Sequence, residues 1–174
     1  MTMLNGAFKI MNQLFPARVA YAHCDIPCGI YDPHLAQIAA LTTVRMNQLI
    51  QDLPKPGPNA SAEEVETHDA KLSRYISVKE EHAELCKHEL RILWGDYFKP
   101  EHVQQYPNLH TLFWEAMKLA SKVRQEVSLQ GAQDLLARTH EIAEVFWKTK
   151  GAEPRKQPSL QTAGGELVYP APKG

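Results

Sequence analysis

From Asp32 onward, apolar residues recur at helical spacing, and the breaks in the pattern fall at proline and glycine. Leu35, Ile38, Ala39, Leu41, Met46, Leu49, Ile50 and Leu53 form one stripe. Asp32-Pro33 supplies its start, with aspartate as N-cap and proline at the first helical position. Pro54, Pro56, Gly57 and Pro58 end it. Ser61-Ala62-Glu63-Glu64 reads as a capping box opening a second helix, whose stripe runs through Leu72, Tyr75, Ile76, Ala83, Cys86, Leu90, Leu93 and Trp94 to a break near Gly95. An aromatic-rich connection follows, Gly95-Asp96-Tyr97-Phe98-Lys99-Pro100. A third helix is expected from Pro107 or Asn108, carrying Leu109, Leu112, Phe113, Ala116, Leu119, Ala120 and Val123. A fourth is expected over Gln130 to Lys150, through Leu135, Leu136, Ile142, Ala143, Phe146 and Trp147.

Four amphipathic helices with short connections and no competing strand alternation predict an all-α fold, an antiparallel, up-down four-helix bundle. The pattern lapses at both ends of the chain. Residues 1–22 contain Lys9 and Arg18 but no acid, and end in the small-x-small sequence Ala20-Tyr21-Ala22. That composition reads as a leader or propeptide that is cut away. Its apolar stretch is interrupted by Asn12 and Gln13, a weak secretory signal, so a cytoplasmic protein is expected. Residues 151–174 hold four prolines and four glycines with little periodicity, and are expected to be a mostly disordered tail.

With 174 residues, 44% of them hydrophobic and 22% charged, the chain is long enough for one well-buried core. A net charge of −1, moving to −3 once Lys9 and Arg18 are removed, argues against nucleic acid or a membrane surface as partner. No apolar run approaches the length of a membrane span.

The chemistry concentrates just before the first helix, in His23-Cys24-Asp25-Ile26-Pro27-Cys28-Gly29. Two cysteines three residues apart, with Pro27 and Gly29 bending the chain, place two soft thiolates together. A cut between Ala22 and His23 would turn the His23 nitrogen into a free α-amine. That amine, the deprotonated Cys24 amide, the Cys24 thiolate and the Cys28 thiolate make a planar two-nitrogen, two-sulfur set. Such a set suits divalent nickel or copper(II). The His23 imidazole can add an axial donor, which a trivalent, electron-poor nickel favours.

His23-Cys-Asp-Ile-Pro-Cys-Gly-Ile-Tyr-Asp-Pro33 closely resembles the nickel-hook signature of the nickel superoxide dismutases, with Ile26 and Ile30 where that family has Leu and Val. Ala83-Glu-Leu-Cys-Lys-His88, Leu93-Trp-Gly-Asp-Tyr-Phe-Lys-Pro100, Tyr106-Pro-Asn-Leu-His110 and Ile142 to Lys150 are also similar to the family, so the likeness spans roughly 23–150. The resemblance implies a four-helix bundle, a homohexamer and one nickel ion per subunit. It implies disproportionation of superoxide to oxygen and hydrogen peroxide, with nickel cycling between its divalent and trivalent states. Thiolate and amidate donors bring that couple into range.

By the same resemblance His23, Cys24 and Cys28 hold the metal, and Tyr31 closes over it and controls anion access. Asp25 helps fix the hook by hydrogen bonding, Ile26-Pro27 is a cis peptide, and Tyr97 and Lys99 orient Tyr31 and favour the anion's approach. Two positions depart from the family pattern. Ala39 and His82 stand where a glutamate and an arginine support the axial histidine, which makes His82, Glu81 and Glu84 the candidates for that support.

Blander readings stand beside these. A bare cysteine pair also reads as a disulfide or half of a zinc site. On that basis the chain would be a metal carrier without turnover, or a structural bundle with a redox-sensitive cysteine pair. Cys86, on the apolar stripe, reads as a small buried thiol. His88, His102, His110 and His140 have no partner spacing and read as surface or capping histidines. Trp94, Phe98, Phe113 and Trp147 read as packing, and Lys99 taken alone is a solvated loop charge.

Overall fold

The computed structural model describes residues 29–172. The leader and the hook residues His23, Cys24, Asp25, Ile26-Pro27 and Cys28 lie outside the described residues. Within them, the expected helices form in the expected order. Helix α1 spans His34–Gln51. The Asp32 carboxylate accepts the His34 N–H at 2.7 Å, while Pro33 takes the cap position itself, so the helix opens one residue later than the sequence suggests. Helix α2 spans Ala62–Ile92 and opens on the expected capping box. The Glu64 N–H donates to Ser61 Oγ (3.3 Å) and the Ser61 N–H to Glu64 Oε2 (2.8 Å), and the Ser61 backbone bond holds the Glu64 carboxyl below its ordinary range.

At Leu93–Tyr97 the helix widens into one π turn, closed by the Phe98 N–H donating to the Leu93 carbonyl at 3.0 Å. A short helix α3, Pro100–Gln105, not foreseen from the sequence, begins on proline. Helix α4 spans Leu109–Gln125 and helix α5 Leu129–Thr149. The longer helices pack in a square, α1 against α2 and α5, and α4 against the same two. Each long helix packs on the long helix before it in the chain, and α1 closes the square against α5, the arrangement of an up-down antiparallel bundle.

The seams are lined by alanine: Ala36, Ala39, Ala40, Ala83, Ala116, Ala120, Ala132 and Ala143 are all buried, which lets backbones approach closely around Phe113, Phe146, Leu90, Leu109, Leu135 and Ile142. At 31 residues α2 is about 46 Å long. Residues 62–67, its first turns, are exposed despite regular helix geometry.

A lysine is built into this core. Lys79, on α2, is 1% exposed. Its ammonium donates to the carbonyls of Val123 (2.6 Å), Arg124 (3.0 Å) and Glu126 (2.8 Å). These belong to the last turn of α4 and the residues just beyond, where carbonyls lack helical partners and the dipole is negative. Burial pushes the Lys79 amine below its ordinary value, yet three charge-assisted bonds fix where α4 ends against α2.

The expectation of a disordered segment over 151–174 is corrected by the structure. Helix α5 closes in a Schellman cap: Gly151 sits at φ +71°, its N–H donates to the Lys148 carbonyl (3.0 Å), and the Ala152 N–H donates to the Trp147 carbonyl (2.9 Å). The chain then turns back as an antiparallel hairpin, β1 (Pro154–Pro158) and β2 (Glu166–Pro170), with Lys156 opposite Val168. Prolines at the strand ends and glycines between the strands hid it from a periodicity reading.

A lone hairpin is marginal in water, and this one is held by the bundle. Leu167 and Val168 are each 1% exposed. Buried Gln37 of α1 pairs with Val168 like a third strand, donating to its carbonyl (3.0 Å) and accepting its N–H (2.7 Å). Gly165 lies against Leu41 of α1 and Leu136 of α5. Lys156 pairs with Glu144 at 3.0 Å.

His140, expected at the surface, is instead buried on α5 under the hairpin, with Nε2 unpartnered. Burial, and then the Lys156 charge, push its imidazole below the ordinary value, with the Glu166 backbone and the Glu144 and Glu166 carboxylates opposing. Its neutral form is thus favoured when folded. The unfolded chain takes up the proton first as pH falls through about 6.5, so stability is lost on acidification. Hydrogen exchange should show the β1–β2 amides losing protection between about pH 7 and 5, and His140→Leu should flatten that dependence. In urea denaturation, Lys79→Met should cost about 3 kcal/mol by leaving the buried Val123 carbonyl and the partly buried Arg124 and Glu126 carbonyls without the ammonium; a loss below about 1 kcal/mol would show that the ammonium is dispensable.

Candidate metal centre

Residues 29–33 carry the hook sequence into α1. Gly29 adopts φ +72°, a left-handed turn that favours glycine. Two residues on, the ring of Tyr31 lies 5.6 Å from that of Tyr97, tilted by 53°. The structure thus brings together two of the predicted site residues, which are 66 positions apart in the sequence.

Tyr97 sits at the last position of the π turn, which adds a residue to that turn and shifts the register of the chain leading to Phe98. Its ring packs on Phe146 (4.5 Å) and Phe98 (5.0 Å) and stacks with His102 (5.7 Å, 24°). The ammonium of Lys150 lies 5.0 Å from the Tyr97 centroid and 5.6 Å from that of Phe146. The phenol oxygen is 2.7 Å from Thr149 Oγ1. Burial pushes the Tyr97 phenol above its ordinary value.

Lys99 is exposed at the head of α3, and its backbone N–H donates to His102 Nδ1 at 3.2 Å. Asp25, His23, Cys24 and Cys28 lie outside the described residues. Thr149, Lys150 and His102 were missed in the sequence as members of this cluster. Their positions follow from where α3 begins and α5 ends, which no spacing rule in the sequence encodes.

The two departures from the family pattern have clear structures. Ala39 is fully enclosed within the α1 seam and offers only a methyl group. His82 is partly buried, and its Nδ1 is 3.0 Å from the Val78 carbonyl of its own helix. That bond makes Nδ1 the donor and leaves Nε2 as the outward nitrogen. Glu84 is committed elsewhere, to Arg91 (2.6 Å) and Arg124 (3.0 Å).

Among the described residues no group of three or more His, Cys, Asp or Glu side chains is placed to hold a metal ion. Cys86 is fully buried, its Sγ 3.7 Å from Thr139 Oγ1, and burial pushes its thiol up to about 12. It remains a neutral thiol, not a ligand. The donor set of His23, Cys24 and Cys28 fits nickel in its chemistry, offering soft thiolates beside nitrogen donors.

Comparison with known proteins bears on the same region. A family model described as nickel-containing superoxide dismutase matches residues 18–150. A superoxide dismutase [Ni] from Streptomyces seoulensis is 36% identical over 144 residues, covering 82% of this chain and all of that protein. One from Streptomyces coelicolor is 34% identical over the same share of each. A native nickel superoxide dismutase structure superposes with a TM-score of 0.63 at 34% identity, covering 74% of this chain and 99% of that one. The family match ends at Lys150, so the β1–β2 hairpin is an addition to the matched region. The bundle, the hook sequence and these likenesses agree: the chain belongs to the nickel-containing superoxide dismutase family.

Proposed function

We propose that this chain disproportionates superoxide, with nickel held by the His23 α-amine and imidazole, the Cys24 amide and thiolate, and the Cys28 thiolate. The observation that carries the reading is the Tyr31–Tyr97 contact at the root of the hook, 5.6 Å between rings, within the stretch the family model matches. Two superoxide anions and two protons give one oxygen and one hydrogen peroxide. Nickel supplies the one-electron chemistry between its divalent and trivalent states, and two thiolates make that couple accessible.

The protein's own groups handle access and order. Tyr31, backed by Tyr97, forms an aromatic wall over the approach to the hook. Exposed Lys99 and the Lys150 ammonium near that wall supply positive potential for an anionic substrate. Asp25 ties the hook by hydrogen bonding. His23 depends on a partner other than the glutamate and arginine of the family pattern, because Ala39 offers none; the Nε2 of His82 is the candidate.

A processing peptidase removes residues 1–22, and the protein works in the cytoplasm. The subunits assemble as a homohexamer. Ile30 and Leu35, 78% and 57% exposed beside the hook's root, are the kind of apolar surface that assembly would cover.

The α-amine makes a sharp test. Chain beginning at His23, loaded with nickel, should dismutate superoxide in pulse radiolysis. Chain that retains Ala22 should lose activity by at least about 100-fold, because an ordinary amide replaces the amine. Equal activity of the two forms would overturn the proposed ligand set. Stoichiometric nickel without turnover in the His23 form would leave the protein a metal carrier.

A further inference from the structure

The end of α5 determines which way a proton points at the aromatic wall. Thr149 has one hydroxyl hydrogen, and its Oγ1 donates to the Phe146 carbonyl at 2.7 Å. That carbonyl also accepts the Lys150 N–H at 3.2 Å and has a second lone pair for the hydroxyl. The same Oγ1 lies 2.7 Å from the Tyr97 phenol oxygen. With its hydrogen already spent, Thr149 meets Tyr97 with lone pairs only. Tyr97 must therefore be the donor.

We infer that Thr149 is a positioning residue that sets the polarity of the chain Tyr97 O–H → Thr149 O–H → Phe146 C=O. The phenolic proton of Tyr97 is thereby committed to the bundle, away from the reaction. Tyr97 then faces the site as a fixed ring with acceptor capacity and is not one of the proton sources that peroxide formation requires. The inference deepens the dismutase reading for its functional consequence, while the hydrogen-bond polarity stands apart from it.

The surroundings support a ring held in one place. Phe146, which supplies the terminal carbonyl, also packs its own ring on Tyr97 at 4.5 Å. Lys150, next in sequence to Thr149, spans both rings. Gly151 stops the helix immediately afterwards with φ +71°, so Thr149 is fixed by the cap rather than left at a fraying end. Rotation of the Thr149 hydroxyl toward Tyr97 would leave the Phe146 carbonyl with only the longer Lys150 N–H bond of 3.2 Å.

Neutron diffraction from the deuterated full-length chain reads the polarity directly. The expected density places a deuterium on the Tyr97 oxygen pointing at Thr149 and another on Thr149 pointing at Phe146. A deuterium on Thr149 directed at Tyr97 would overturn the inference. A double-mutant cycle tests the positioning role in nickel-loaded protein. Thr149→Val should lower kcat about tenfold with KM little changed, Thr149→Ser should restore it, and Thr149→Val should add nothing further in a Tyr97→Phe background.

Additive losses in the cycle would show that Thr149 does not act through the Tyr97 hydroxyl. The same cycle run on metal-free protein by urea denaturation should show the same coupling, and zero coupling there would also count against it. Wild-type protein that binds nickel but fails to turn over would sink the dismutase reading alone, because the neutron and denaturation results do not depend on it.

Discussion

Two distant segments, and the residues that follow it in the chain, meet on the ring of Tyr97. Tyr31 arrives from the hook, Phe98 follows in the chain, His102 comes from α3, and Phe146, Thr149 and Lys150 come from the last turns of α5. Aromatic contacts of this kind add roughly 0.5–1.5 kcal/mol each beyond simple burial. Their larger effect is geometric. A ring packed on several sides and hydrogen-bonded at its oxygen has one orientation, so Tyr31 packs against a fixed surface. The bundle thus fixes the ring on which Tyr31, at the root of the hook sequence, comes to rest.

That service requires the ends of the helices to be as well determined as their middles. Lys79 fixes the end of α4, and the glycine cap fixes the end of α5. The capping box fixes the start of α2. The hairpin holds α1 through Gln37, whose two bonds to Val168 turn a buried amide into a strand partner at roughly 1 kcal/mol apiece. It also covers His140. Tyr169 of the hairpin lies 5.5 Å from His34, the first residue of α1, so the addition reaches close to the root of the hook.

Much of this was legible in the sequence. The four long helices follow from apolar spacing, and the start of α2 from Ser61 and Glu64. Cys86 reads correctly as a buried thiol because it lies on the inner stripe. The hook motif, through its resemblance to the nickel superoxide dismutases, pointed to the family that the comparisons show. The hairpin was not legible, because two short strands bounded by prolines have no period to detect and gain their stability only from Gln37, Leu41 and Leu136. His140 and Lys79 were equally hidden, being polar residues whose burial depends on other elements, the hairpin for His140 and the end of α4 for Lys79. Thr149 gave no signal, because its role arises from the meeting of a π turn with a helix end.

The central claim is that His23, Cys24 and Cys28 form the nickel site and that the bundle contributes no direct ligand. Nickel K-edge X-ray absorption on protein beginning at His23 tests this most directly. Two sulfur scatterers are expected in the native protein and in Cys86→Ala, one in Cys24→Ser and one in Cys28→Ser. An all-nitrogen-and-oxygen shell, or a sulfur lost with Cys86, would contradict it.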